Sequence, residues 1–278
     1  AGSLRLLDLH QCASGMDGRG LYDPARWHQA KQLVDPARTP LHGELVARLL
    51  AALTGKARRC LVLDLDNTLW GGVIGDLGAE GIALGQGSST GEAFLALQSY
   101  VALLRERGVV LAVCSKNDHA VARSAFDCHP EMLLAYEDIA CFTANWQDKA
   151  TNLRAISRTL NLGLDSFVFV DDNPAERDIV RRELPEVAVP ELPDDVSLYP
   201  FTIAAAGYFE TAALTAEDFD RAGDYAAASL RSAAAEGVVT DMAGYLASLA
   251  MQLTCKPVGP FVQARAAQLI NKSNQFNL

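Results

Sequence analysis

The sequence predicts an α/β fold built on a doubly wound parallel sheet. Three short apolar runs, at residues 60–63, 109–113 and 167–170, have the length and composition of strands that are buried on both faces. Each run ends in polar residues, and helical periodicity separates one run from the next, an alternation typical of parallel sheets. We therefore expect the carboxyl ends of these strands to meet at one edge, where such sheets bind ligands.

Composition excludes several classes of protein. The 278 residues carry a formal net charge of -10, which disfavours binding to a nucleic-acid backbone. No apolar run approaches the ~20 residues that span a bilayer, so no membrane segment is expected. Six cysteines are present without a CxxC pair, so neither a zinc site nor a disulfide framework is indicated. This cysteine usage favours the reducing cytoplasm.

Changes in pattern along the chain predict three parts. Residues 1–56 form a lead-in whose helix follows Thr39-Pro40 and carries leucines at helical spacing. Residues 57–200 hold the three predicted strands and are expected to form the main domain. Residues 201–278 are Ala-rich at first and end in a cluster of amide side chains, and they predict a smaller helical or α/β segment.

The first predicted strand ends in two carboxylates. Asp64 and Asp66 are separated by one residue, so strand alternation places them on the same side, with Thr68 just beyond. Two carboxylates held close together repel each other unless a cation or a shared proton relieves them. Oxygen ligands on a rigid strand end suit Mg²⁺. The alternative is a strand end that carries a solvated acidic turn.

The second predicted strand ends in a segment suited to a phosphate group. Ser115, Lys116 and Asn117 stand between the strand and a helix that begins near His119. A helix N-terminus offers free N–H groups and the positive end of its dipole to an anion. The alternative is a simple helix cap, in which Ser115 or Asp118 satisfies the first turn.

The third predicted strand adds two further carboxylates, Asp171 and Asp172, followed by Asn173. Lys149 begins a helix, an unfavourable position for a cation unless an anion and carboxylates lie opposite. Because parallel strand ends share one edge, the polar groups of the three strands are expected to converge on one site.

Cys114 is a candidate nucleophile for acyl transfer. It stands beside Ser115, near Lys116 and a helix N-terminus, both of which lower the pKa of a thiol. A thiolate can displace phosphate from an acyl phosphate. The alternative is that Cys114 is buried as the last residue of its strand.

Five segments together resemble a known family. Their order is similar to the motifs of the haloacid dehalogenase (HAD) superfamily, and more specifically to the FkbH-like glyceryl-transferring family, over roughly residues 20–278. This resemblance implies a HAD-like, Rossmann-like sheet with a minimal cap. The segments are LDLDNTLWGGVIG (63–75), AVCSKND (112–118), NWQDK (145–149), FVFVDDNPAER (167–177) and LINKSNQFNL (269–278).

The resemblance also implies a function. Members of that family take D-1,3-bisphosphoglycerate, a small phosphorylated three-carbon substrate, and load a glyceryl group onto an acyl carrier protein for polyketide biosynthesis. Both phosphates are lost in the process. Two other functions stay open, a magnesium-dependent phosphohydrolase without an acyl step and a carrier-protein docking module without catalysis.

The resemblance assigns roles to individual residues. Asp64 is implied as nucleophile and metal ligand, and Asp66 as acid/base that ligates through its carbonyl. Asp171 and Asp172 complete the Mg²⁺ ligands, and Lys149 completes the catalytic set with Cys114. The expected substrate- or phosphate-binding residues are Thr68, Ser115, Lys116, Asn117 and Asn173.

An open site is expected around these residues. Between Asp64 and Ser115 the sequence holds only a glycine-rich flap and one helix, and between Ser115 and Lys149 one helix–strand unit fits. Such a site admits the phosphopantetheine arm of an acidic carrier protein, so we expect a locally basic docking surface. Its candidate residues are Lys116, Arg177, Arg181 and Arg182.

Overall fold

The computed structural model describes residues 22–211, 214, 219–225, 227–228, 259 and 263. Most of the predicted segment 201–278, including its amide cluster, lies outside these described residues. Contacts divide the chain into two compact units, of which one contains Arg58–Phe209 and the other contains the described residues 22–57 and 210–211.

The smaller unit is helical where it is described. Asp23 caps helix α1 (Pro24–Ala30) by accepting hydrogen bonds from two backbone N–H groups of its first turn. The longer helix α2 (Thr39–Leu53) confirms the helix predicted after Thr39-Pro40. An isolated antiparallel bridge pairs Tyr22 with Val34.

A four-stranded parallel sheet forms the larger unit and confirms the predicted fold class. Strands β1 (Cys60–Leu63), β2 (Val110–Ser115), β3 (Ile139–Ala144) and β4 (Phe167–Val170) stand in the order β3-β2-β1-β4. β1 is therefore central, and its last residue is in register with Val113 of β2 and Val170 of β4. The carboxyl ends of β2, β1 and β4 thus lie side by side.

Helices cover both faces of this sheet because alternate residues of β1 point in opposite directions. Leu61 and Leu63 pack in one core cluster, whereas Cys60 and Val62 pack in a second. The first cluster contains residues of α4 (Ser89–Glu106), α5 (His119–Cys128) and α8 (Tyr199–Ala205). The second contains residues of α6 (Lys149–Leu160) and α7 (Pro174–Glu183).

The glycine-rich segment after β1 forms a short flap. It contains the one-turn helix α3 (Ile74–Leu77) and closes through an antiparallel bridge between Gly71 and Ala83. Within residues 58–209, no separate cap domain is inserted between the strands. Among the described residues, no helix combines the length and the hydropathy that crossing a bilayer requires.

Candidate active site

Lys149 lies at the centre of the carboxyl edge of the sheet. It is the first residue of α6, whose cap Asp148 accepts a hydrogen bond from the backbone of Thr151. Its side chain is 1% exposed, and Nζ lies 2.8 Å from Asp64 Oδ1 and 3.1 Å from Asp171 Oδ2. It also donates a 2.7 Å hydrogen bond to the carbonyl of Cys114. One cation therefore ties together the ends of β1, β2 and β4.

The charges at this position alter one another's protonation. Burial on its own would lower the pKa of Lys149, but the charges of Asp64 and Asp171 outweigh that effect and raise it. Burial, followed by repulsion from Asp64, raises the pKa of Asp171 to about 7, although Lys149 opposes this rise. Lys149 is therefore charged at neutral pH, and Asp171 is poised between its two forms.

The carboxylates of Asp64, Asp171 and Asp172 fit a hard cation. Ligand atoms of Asp64, Asp171 and Asp172 all lie within 4.8 Å of one another. Asp64 Oδ1 and Asp171 Oδ2 are buried, and apart from the ionic contact with Lys149 neither has a hydrogen-bond partner. Three carboxylates lie close together and Lys149 contacts two of them, which leaves an excess of negative charge that Mg²⁺ would balance.

Thr68 fixes the orientation of Asp172 in this cluster. Its hydroxyl oxygen accepts a 3.1 Å hydrogen bond from the Asp172 backbone N–H and lies 3.2 Å from the Asp172 carboxylate. Thr68 is fully buried. The predicted substrate-binding residue Thr68 thus contacts a carboxylate of the site, an arrangement that positions Asp172.

Asp66 is held apart from the other carboxylates. Its Oδ1 accepts hydrogen bonds from Trp70 Nε1 at 2.9 Å and from the backbone of Ile74 at 3.1 Å. Its Oδ2 accepts one from Asn117 Nδ2 at 3.0 Å. Burial raises the pKa of Asp66, although these donors oppose the shift. The carboxylate is fixed beside the flap, and it does not join the cluster of three.

The structure brings the predicted residues of the β2 and β4 ends to this edge, with protein partners for most of them. Ser115 is 2% exposed, and Asn117 is occupied by Asp66 and by the backbone of Asp118. Lys116 pairs with Glu176 in the first turn of α7. Asn173 caps α7 by accepting a hydrogen bond from the backbone of Ala175.

Cys114 is buried, whereas its neighbours in the sequence favour a reactive thiol with a lowered pKa. The side chain is fully buried in the core cluster beneath α6, and its nearest polar contact is a 3.9 Å approach to the Lys149 carbonyl. Burial raises the pKa of the thiol to about 12, and the charge of Lys149 offsets this only in part. The thiol therefore lacks both the access and the ionisation that a nucleophile needs.

Three of the four residues expected to form a basic docking surface, Lys116, Arg177 and Arg181, pair with acidic side chains. Arg182 is exposed and donates to the backbone carbonyl of Asp178. Arg177 is 3% exposed and donates to the carbonyls of Asp171 and Asp172. Glu191 forms ion pairs with both Arg177 and Arg181. Arg177 therefore stabilises the backbone at Asp171 and Asp172, directly after β4. Its position in the sequence does not indicate this role.

Comparison with known proteins gives one informative similarity. No family model and no curated protein matches the chain. Among solved structures, the chain is similar to the N-terminal part of protein BF1531 from Bacteroides fragilis, which contains a phosphatase domain complexed with Mg. Identity is 45% and the TM-score 0.67, over 70% of this chain and 52% of that chain. The chain thus spans about half the length of that structure.

A second solved structure is more distant. It is assigned to the HAD superfamily (subfamily III A) as a hydrolase from Legionella pneumophila, with 15% identity over 70% of this chain and 99% of that chain. Its TM-score is 0.34. The similarity to the phosphatase domain agrees with the sheet and helix arrangement described above.

Proposed function

We propose that the chain is a magnesium-dependent phosphatase of the HAD superfamily that acts on small phosphorylated compounds. The cluster of Asp64, Asp171 and Asp172 around the buried Lys149 carries this proposal. Three carboxylates at one edge of a parallel sheet provide oxygen ligands for Mg²⁺, with room for a phosphate oxygen. The similar structure from Bacteroides fragilis supports the same function, because it contains a phosphatase domain complexed with Mg.

Asp64 is the nucleophile in this proposal. Its side chain keeps 13% of its surface exposed, whereas that of Asp171 is fully buried, so Asp64 is the more accessible of the two. A carboxylate oxygen of Asp64 attacks phosphorus, and the bond from phosphorus to the leaving oxygen breaks. Asp66 donates a proton to that oxygen. The products of this step are the free alcohol or acid and an aspartyl phosphate on Asp64.

Water completes the reaction. It attacks phosphorus of the aspartyl phosphate, and Asp66 accepts the proton that water gives up. Inorganic phosphate leaves and Asp64 is regenerated. Lys149 orients Asp64, since its Nζ lies 2.8 Å from Oδ1. When bound to Asp64, Asp171 and Asp172, Mg²⁺ would supply positive charge to the phosphoryl oxygens.

Phosphate release from acetyl phosphate and from 3-phosphoglycerate tests this function. Release should require Mg²⁺ and stop in excess chelator, and Asp64→Asn should lower it by at least ~10³-fold because the nucleophile is lost. Asp127→Asn is the matched control, since Asp127 lies exposed on α5 in an ion pair with Arg123. Undiminished release by Asp64→Asn, or release in chelator, would rule out the proposal.

We further propose that the physiological reaction is glyceryl loading from D-1,3-bisphosphoglycerate onto an acyl carrier protein in the cytoplasm. The five family-like segments found in the sequence support this finer function. Because Cys114 is buried, the pantetheine thiol of the carrier is the direct nucleophile toward the acyl phosphate carbonyl. The sulfur–carbon bond of the carrier thioester forms as the carbon–oxygen bond to phosphate breaks, and inorganic phosphate leaves with the proton that the thiol gives up. The second phosphate is transferred to Asp64 and released by water as described above.

Intact-mass measurement of both proteins tests this step. With bisphosphoglycerate, Mg²⁺ and a holo carrier protein, the carrier should gain a glyceryl group while the enzyme carries no thioester adduct. Cys114→Ala should load the carrier at an unchanged rate. A glyceryl adduct on Cys114 would contradict direct attack by the carrier thiol. A carrier that is never loaded would refute glyceryl transfer, and the phosphatase function would be the only one remaining.

A further inference from the structure

The ion pair between Lys116 and Glu176 joins the segments that follow the two strands on either side of β1. Lys116 comes directly after the last residue of β2, and Glu176 lies in the first turn of α7, after β4. Their charged atoms, Nζ and Oε1, are 2.5 Å apart. Because β1 lies between β2 and β4, the pair reaches across the carboxyl end of β1, where Asp64 lies.

The two lysines of this edge differ in what their ammonium groups contact. The Lys149 ammonium is buried, and its polar contacts are with Asp64, Asp171 and a backbone carbonyl. Lys116 keeps 38% of its side chain exposed, and Glu176 is its one salt-bridge partner among the described residues. An ammonium has three N–H donors, so Lys116 retains donors for a ligand.

Glu176 is itself incompletely satisfied. Its side chain is 13% exposed, and its second oxygen, Oε2, is buried without a hydrogen-bond partner. A buried carboxylate oxygen without a donor costs free energy, so Glu176 is held near Lys116 mainly by the attraction of the opposite charge. An anion that enters the site would compete with Glu176 for that lysine.

We propose that Lys116 forms a second anion subsite and that Glu176 determines its specificity as the competing counter-ion. The favoured substrates are small phosphate esters that carry another anionic group on the part that is not transferred. This inference rests on the proposed phosphatase function. A neutral hydroxyl cannot compete with the Glu176 carboxylate, whereas a substrate carboxylate or phosphate can, so the pair discriminates by charge.

Two ligands with the same three-carbon skeleton isolate this effect. 3-Phosphoglycerate carries a carboxylate where glycerol 3-phosphate carries a hydroxyl. Binding is measured by titration calorimetry with Mg²⁺ in Asp66→Asn, which lacks the proposed acid but keeps the three carboxylates of the metal cluster, so that affinity does not depend on turnover. We expect about tenfold preference for 3-phosphoglycerate, because a hydrogen bond to a charged group adds on that order of affinity. Lys116→Met should bring that preference close to one.

The substitution Glu176→Gln tests the competition. It keeps the shape of the side chain and removes its charge, so affinity for 3-phosphoglycerate should rise about threefold, as expected for a partly exposed ion pair. Glu183→Gln is the matched control, since Glu183 forms an exposed ion pair with Arg154 on the neighbouring helix. It should leave the preference unchanged.

Any of three outcomes would overturn this inference: an equal loss of both affinities in Lys116→Met, an unchanged or weaker affinity for 3-phosphoglycerate in Glu176→Gln, or no preference between the two ligands with both residues intact. Phosphate release by the unchanged protein is measured in parallel. A charge preference without phosphate release would refute the proposed phosphatase function and leave the anion subsite standing.

Discussion

Among single residues of the site, Lys149 is the buried cation that contacts two carboxylates. It is buried between Asp64 and Asp171, so its ammonium balances carboxylates that would otherwise repel each other at close range. Removing one member of a buried ionic group leaves the others uncompensated, and this is strongly destabilising. Lys149 is therefore both structural and functional.

Lys149→Met should accordingly lose phosphatase activity and also about 3 kcal/mol of unfolding free energy without metal. Adding Asp171→Asn to that variant removes one of the repelling charges, so stability should recover in part while activity does not. Urea unfolding and phosphate release measure the two effects. Recovered activity in the double variant, or a Lys149→Met protein as stable as the parent, would contradict this dual role of Lys149.

Cys114 should be chemically inert in the folded protein. A buried thiol whose pKa is raised to about 12 is almost entirely protonated at pH 8, and protonated thiols react slowly with alkylating reagents. Cys128 is exposed and serves as the internal control. Peptide mapping after brief iodoacetamide treatment should find Cys128 modified and Cys114 unmodified until denaturant is added. Modification of Cys114 at a similar rate would contradict its described burial.

At the scale of elements, the flap after β1 fixes Asp66. The backbone of Ile74, the first residue of α3, donates to the Asp66 carboxylate, and Gly72 just before it has a φ of 90°. A Cβ atom added at Gly72 would lie 2.4 Å from Leu77 Cδ1. This glycine is thus needed for its backbone conformation, whereas the clash is with the end of the exposed Leu77 side chain, which can move aside.

Gly72→Ala should therefore destabilise the protein by about 1–2 kcal/mol and lower turnover, because Asp66 loses its fixed position. Gly75→Ala is the matched control within the same flap, since a Cβ atom there meets nothing within 4 Å. It should leave turnover unchanged and be neutral or slightly stabilising in a helical turn. Thermal unfolding and phosphate release compare the pair, and equal effects at both positions would contradict the role of the flap.

The strands show how far sequence reasoning reaches. β1 and β4 have the predicted bounds, because both are continuous apolar runs covered on two faces. β2 begins and ends slightly later than predicted. β3 is not among the predicted strands, although the sequence leaves room for one helix–strand unit there. Its segment IACFTA is interrupted by Thr143 and half of it is only partly buried, so it lacks the continuous run of bulky apolar residues seen in β1 and β4.

The site shows the same limit. The rule that parallel strands end at one edge of the sheet predicts that the polar ends of β1, β2 and β4 meet, and they do. Strand alternation also predicts Asp66 beside Asp64, but β1 ends at Leu63, and the flap holds the Asp66 carboxylate apart from the cluster. Applied to β2, the same alternation places Cys114 with Val110 and Ala112, in the cluster beneath α6. That signal was available in the sequence and outweighs the proximity of Lys116. The pairing of Arg177 with Glu191 had no such signal, because it depends on packing after β4.

At the scale of the whole molecule, metal binding and stability should be linked through pH. The pKa of Asp171 is about 7 in the folded protein against an ordinary 3.8, so the metal-free native state binds this proton more tightly than the unfolded chain. Its contribution to stability is therefore largest at low pH and is lost as pH rises through about 7. Mg²⁺ requires the ionised carboxylate, so it competes with the proton.

The rise in melting temperature caused by Mg²⁺ should consequently be larger at pH 8 than at pH 6. Thermal unfolding in Mg²⁺ and in chelator at each pH measures this difference. Asp171→Asn, which cannot titrate and loses a ligand, should show little Mg²⁺ effect at either pH. An equal rise at both pH values in the unchanged protein would contradict the linkage.

In the proposed reaction Asp64 receives the phosphoryl group, and the most direct test is to trap that group on the protein. The protein is mixed with ³²P-labelled acetyl phosphate and Mg²⁺, quenched in acid within milliseconds, and digested for peptide mapping. We expect label on the peptide that contains Asp64, and hydroxylamine should release it, as it does from an acyl phosphate. The label should be absent in chelator and in Asp64→Asn. Label on another residue, or steady phosphate release without any labelled peptide, would contradict it.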